Sequence, residues 1–321
     1  MAGDHQQRVN NMKMQHFISL TDTTCQQLQS IMKISLELRD QRQAGQRHEQ
    51  ILAGKSLAMI FEKASLRTRV SFEQAIIELG GHATVLGDAE VGLGRRESAA
   101  DVVRVLTGMV HGVIARVFEH QKLIDLAKYG SVPVINALSD HSHPVQALAD
   151  AMTLMDEFGR DLTGRTLAFV GDGNNVARSL ATLCGMLNMN FVLACPQGYE
   201  LAPAFIDDLC RQVPSLQYRL THDATEAVQQ ADAVYTDTWA SMGQEAQLDD
   251  RQKMFADYQV NAALLESAPP HAIVLHCLPA HRGQEITDEV FEGARSRIFP
   301  QAHNRLHTQK GLLAVLYGRH Q

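Results

Sequence analysis

Short apolar runs punctuate this chain, and longer stretches of helical period separate them. "SLAMIF" (56–61) has the length and content of a buried strand, and Phe72, Ala75, Ile76 and Leu79 then recur at helical spacing. The spacing predicts a helix over 68–79, stopped by Gly80 and Gly81. Further strands are expected at 83–87, 113–118 and 132–136, then at 167–171, 191–195, 217–221, 233–236 and 272–276. Alternation of this kind predicts an α/β protein of two domains, each a mainly parallel sheet flanked by helices. "PVQALADAMTLMDEFG" should form the linking helix, with Pro144 suited to its first turn and Gly159 to its C-terminal cap. "GLLAVLYG" (311–318) reads as an amphipathic closing helix. The domains expected are 1–150 with 305–321, and 151–304.

Composition narrows the class without naming a chemistry. The 321 residues are 45% hydrophobic and 20% charged, an ordinary globular balance with room for two cores. A formal charge of −7 argues against a broad nucleic-acid footprint, though a local basic pocket could hold a small anion. No apolar run approaches the roughly 20 residues of a membrane span, and "MAGDHQQRVNNMKMQ" lacks a secretory hydrophobic segment. A cytoplasmic protein without a membrane or nucleic-acid partner is expected. The cysteines, Cys25, Cys184, Cys195, Cys210 and Cys277, form no C-x-x-C pair and read as reduced thiols.

The ends of the predicted strands carry the chemistry, because parallel sheets gather ligands there. After 56–61, Ser65, Arg67, Thr68 and Arg69 crowd a strand-to-helix turn, where free backbone N–H groups and the helix dipole favour an anion. Guanidinium forks suit phosphate or carboxylate oxygens. Arg116 is read as a charge inside an apolar strand that needs a partner. His143 and Gln146 flank the start of the linking helix, and Asp237 precedes the small-residue turn "SMG". "FVGDGNNVARS" invites a dinucleotide reading, but Val176 stands where the third glycine belongs and no ribose-binding acid follows the next strand. Asn174 and Asn175 suit a small zwitterion, with simple capping as the alternative. His276 and Cys277, as strand neighbours, should point to opposite faces, which weakens both a metal pair and a nucleophilic dyad. His141 and His143 read as hydrogen-bonding loop residues.

Taken together, "FEKASLRTR", "HPVQALAD", "GDGNN", "DTWASMGQE" and "HCLPAHRG" occur in an order and spacing that resembles the ornithine carbamoyltransferases, from about residue 16 to the C-terminus. The S-x-R-T-R and H-P-x-Q pieces resemble carbamoyltransferases generally, while "DTWASMGQE" and "HCLP" are the ornithine-specific part. The resemblance implies transfer of a carbamoyl group from carbamoyl phosphate to the side-chain amine of L-ornithine, giving L-citrulline and phosphate. It implies a homotrimer, with no metal, cofactor or covalent enzyme intermediate. Ser65, Leu66 (through its backbone), Arg67 and Thr68 would hold the phosphate. Arg116, His143, Gln146 and Arg305 would hold carbamoyl phosphate and polarise its carbonyl. Asn175, Asp237, Ser241 and Met242 would hold ornithine, with Cys277 and Leu278 beside the reacting atoms; Arg116, His143, Cys277 and Arg305 are the expected catalytic group. On the same resemblance, 1–150 with 305–321 is the carbamoyl-phosphate domain and 151–304 the ornithine domain.

Two positions depart from the family pattern. Leu66 replaces a usual hydroxyl residue, and Gly92 stands where a neighbouring subunit often supplies a polar side chain, with Arg95 or Arg96 as candidate substitutes. Alternative acceptors are putrescine or an acylated ornithine; a non-catalytic nucleotide-binding protein is the remote alternative.

Overall fold

The computed structural model describes residues 14–239 and 248–318, which form two compact units: residues up to Ser139 together with Arg305 onward, and Asp140–Asn304. Among the described residues no helix is long and apolar enough to cross a membrane.

The first unit is built on β1 (Ser56–Phe61), β2 (His82–Gly87), β3 (Gly112–Arg116) and β4 (Val134–Leu138), all parallel in the order β2-β1-β3-β4. Its central strands are buried along almost their whole length, which is why they read as unbroken apolar runs and not as alternating patterns. The edge strand β2, "HATVLG", keeps partly exposed positions throughout. At the opposite edge Phe17 lies against Ile135, exchanging backbone bonds with Val134 and Asn136. Arg116 closes β3 and is half-buried, so its charge lies at a strand mouth and not within the strand as expected.

The second unit carries β5 (Thr166–Val170), β6 (Asn190–Ala194), β7 (Gln217–Thr221), β8 (Ala233–Thr236) and β9 (Ile273–His276), again all parallel, in the order β7-β6-β5-β8-β9. Helix Pro144–Phe158 is buried from Pro144 through Leu154 and belongs to this compact unit. The closing helix is far longer than the "GLLAVLYG" pattern indicated, running Ile298–Tyr317. Its early turns carry buried polar side chains, including Gln301, Asn304 and Arg305, which mask the apolar period.

Both sheets wind outward from a central strand and then reverse. The reversal falls between β1 and β3 in the first unit and between β5 and β8 in the second. Crevices of parallel sheets open at such points, beyond the carboxyl ends of the strands.

Candidate functional site

In the first unit the reversal brings Phe61 and Arg116 into register as the last residues of their strands. Glu62, the next residue, ties the two strand ends together: its carboxylate accepts from the Phe118 N–H at 2.7 Å and from Lys122 Nζ at 2.8 Å. The chain then enters helix Leu66–Glu78 with Ser65 as N-cap in an extended conformation, and the Ser65 side chain makes no capping bond. The first turn of a helix is where backbone N–H groups suit an anion. Thr68 is buried, and its hydroxyl accepts from Arg305 Nη2 at 3.1 Å. Arg67 is half-buried, whereas Arg69 is exposed and pairs with Glu73 one turn on at 3.5 Å. Of the two arginines of the motif, Arg69 thus braces the helix.

Leu66 is 75% exposed and caps nothing. Gly92 has φ of +56°, and a Cβ there would lie 2.8 Å from the Arg96 Cβ, so the local backbone itself excludes most side chains. Both candidate substitutes form ion pairs, Arg95 with Asp88 and Arg96 with Glu97 at 4.0 Å.

The second unit arranges its groups around β5 and β8. Asn174 caps helix Asn175–Met186, its Oδ1 accepting from the N–H groups of Val176 (2.9 Å) and Ala177 (3.1 Å). Its Nδ2 donates to Asp237 Oδ2 at 2.9 Å. Asn174 is therefore both the cap that the sequence offered as an alternative and the holder of the carboxylate, and only the second role escaped sequence reasoning. Asp237, 9% exposed, also accepts from the Thr238 N–H at 2.8 Å and from Cys277 Sγ at 3.0 Å. A thiol donating to a carboxylate is poorly placed as a nucleophile, since a thiolate would face a like charge.

Gly173 of "GDGNN" has a packing duty. A Cβ there would sit 2.6 Å from the Tyr199 carbonyl oxygen, so the glycine admits the 199–201 backbone, and its own N–H donates to that oxygen at 2.8 Å. Neighbouring Asp172 pairs with Arg251 at 2.6 Å, while burial pushes its carboxyl above the usual range.

His276 and Cys277 do not diverge as strand neighbours should. β9 ends at His276, and Leu278, with φ of +62°, turns the chain so that the ligand atoms of Asp237, His276 and Cys277 lie within 4.8 Å of one another. The trio is nonetheless a poor cation site, because His276 Nδ1 accepts the Leu278 N–H at 2.8 Å and Nε2 donates to Glu285 at 3.0 Å. Both ring nitrogens serve to hold the turn, in a conformation that a branched side chain rarely adopts.

His143 precedes helix Pro144–Phe158, and its N–H donates to Ser179 Oγ at 2.8 Å. Gln146 donates to Asp150 at 2.8 Å; Asp150 also accepts from Gln301 at 2.7 Å, and Gln301 Oε1 accepts the His276 N–H at 2.9 Å. One buried chain of hydrogen bonds thus couples Gln146 to the turn bearing Cys277. Asp150 and Gln301 gave no sequence signal. His141 accepts from Arg178 at 3.2 Å, as a hydrogen-bonding residue. Ser241 and Met242 lie outside the described residues.

Two all-parallel units, one with arginines at a strand-to-helix turn and the other with a carboxylate held by neutral donors, define a two-domain α/β protein. Residues 15–156 match the aspartate/ornithine carbamoyltransferase carbamoyl-P binding domain, and residues 163–316 match the Asp/Orn binding domain of the same family. The ornithine carbamoyltransferase of Thermococcus kodakarensis is 47% identical over 94% of this chain and 96% of its own. That of Anoxybacillus flavithermus is 45% identical over 95% of this chain and 97% of its own. Among solved structures, the ornithine carbamoyltransferase from Pyrococcus furiosus superposes with a TM-score of 0.92 at 44% identity, covering 96% of this chain and 99% of that one. The chain belongs to the aspartate/ornithine carbamoyltransferase family.

Proposed function

We propose that this protein transfers the carbamoyl group of carbamoyl phosphate to the side-chain amine of L-ornithine, releasing L-citrulline and phosphate. Within the family, the observation that selects ornithine over aspartate is Asp237. Its carboxylate accepts from an amide, a backbone N–H and a thiol, all neutral donors, and that setting suits a substrate ammonium. An acceptor carrying a second carboxylate would be repelled there.

Ser65, Arg67, Thr68 and the Leu66 N–H take the phosphate, and Arg116 and Arg305 take the charge that develops on the carbonyl oxygen and leaving group. His143 and Gln146 hold the carbamoyl end. Asn175, Asp237, Ser241 and Met242 take the α-amino and carboxylate groups of ornithine, and Cys277 and Leu278 sit beside the amine. Attack by a neutral amine develops negative charge on the carbonyl oxygen, and fixed cationic donors lower that barrier without reorganising. The residues before 151 and after 304 form the carbamoyl-phosphate domain and the rest the ornithine domain. We assign a homotrimer in the cytoplasm acting in arginine biosynthesis, all three on the family resemblance.

The N-carbamoylated product formed with each of ornithine, putrescine, acetylornithine and aspartate, with phosphate release as the common readout, tests the reading. Ornithine should be the preferred acceptor; a preference for putrescine or acetylornithine would refute the role of Asp237.

A further inference from the structure

Lys310 lies five residues beyond Arg305 on helix Ile298–Tyr317, about 7.5 Å along its axis, and its ammonium is completely buried. Burial of a lysine demands partners. Lys310 Nζ donates to Glu78 Oε2 at 2.7 Å and to His48 Nε2 at 2.8 Å. His48 Nε2 also lies 3.2 Å from Glu78 Oε2, and its Nδ1 lies 3.2 Å from Gln41 Oε1. The remaining oxygen of Glu78 accepts from Arg42 Nε at 2.9 Å.

Glu78 is the last residue of the helix whose first turn carries the phosphate-binding residues, ten residues and about 15 Å beyond Thr68. The two helices thus meet at two separated polar contacts, Arg305 to Thr68 and Lys310 to Glu78. One contact alone would allow each helix to pivot or slide about it. Two fix both register and rotation. Gly311 adds a third restraint, since a Cβ there would fall 2.1 Å from Ser35 Oγ and 2.7 Å from the Ile31 carbonyl, seating the helix against Cys25–Gln43.

We propose that Lys310, through Glu78 and His48, is a positioning residue that sets the Arg305 guanidinium against the phosphate-binding turn. The proposal rests on the role assigned to Arg305 above. A lysine that merely filled the core would affect folding but not ligand handling by the molecules that fold.

The test uses the full chain carrying Lys310→Met with Glu78→Gln, which removes both charges together and leaves no unpaired buried ion. The pair should keep the circular dichroism spectrum while weakening carbamoyl phosphate, seen as KM and as calorimetric affinity for a non-hydrolysable analogue, by about tenfold. The ornithine KM should stay within about twofold, well under 1 kcal/mol. In an Arg305→Lys background the same pair should have no further effect on kcat or on analogue affinity, because the group it positions is already altered. Wild-type kinetics per folded molecule, or effects that multiply with Arg305→Lys, would overturn the proposal. Undiminished turnover by Arg305→Lys would remove Arg305 from the reaction and the proposal with it. If the wild-type chain bound the analogue but made no citrulline, the acceptor reading would fail while the analogue affinities still decided Lys310.

Discussion

Asn174 carries two separable duties, and substitution distinguishes them. As N-cap it satisfies two backbone N–H groups, and through Nδ2 it holds Asp237 at 2.9 Å. Asn174→Ala removes both. Loss of the cap costs about 1 kcal/mol of stability, within a range of roughly 0.5–2. A hydrogen bond to a charged group contributes about 1.5–3 kcal/mol, so a freed Asp237 should weaken ornithine by about tenfold to a hundredfold. Asn174→Asp keeps the cap, because aspartate caps as well as asparagine, but sets a second carboxylate against Asp237. Its thermal midpoint should stay near wild type while its ornithine KM rises. Steady-state kinetics and thermal unfolding on both variants, with carbamoyl phosphate KM as the internal control, measure the two duties independently. Unchanged ornithine KM in Asn174→Asp would refute the reasoning, since the carboxylate would then not depend on the amide.

Arg116→Ala should fold and lose about 3–4 kcal/mol of transition-state stabilisation, the usual loss for one fixed donor, read as kcat in a purified, folded sample. Cys277→Ser should retain measurable activity, and intact mass spectrometry during turnover should find no carbamoylated enzyme; a carbamoyl-cysteine forming and decaying at the turnover rate would show the thiol to be a nucleophile. Leu66→Thr should tighten a carbamoyl phosphate analogue in calorimetry if the missing hydroxyl weakens phosphate binding, with ornithine unaffected. Burial, reinforced by Lys310, Arg39 and Arg42, lowers the His307 pKa from 6.5 to about 3. The unfolded chain therefore binds a proton that the folded chain refuses, and its stabilisation is present above pH 6.5 and lost as pH falls toward 3, at about 1.4 kcal/mol per unit. His307→Gln should flatten that part of an acid-unfolding profile.

Several features were legible in the sequence for local physical reasons. Parallel strands covered on both faces must be apolar throughout, so β1 and β6 stood out as runs. Pro144 and Gly159 marked a helix because proline fits a first turn and Gly159 adopts φ of +90°. The motif residues stood out because strand-to-helix turns need caps and small residues wherever the protein binds a ligand. Only the tertiary structure decided which of those turns became neighbours. Strand order set the reversals at β1/β3 and β5/β8, and no pattern within a strand encodes its partner. Arg305 meets Thr68 across 237 positions and Lys310 meets Glu78 across 232, so a buried arginine and lysine read as interruptions of an apolar helix. Hydrophobic period reports whether a position is buried, which is a local property. Which distant group satisfies a buried charge is settled by packing, and that is where the positioning of Asp237 by Asn174 and of Gln146 by Asp150 arises.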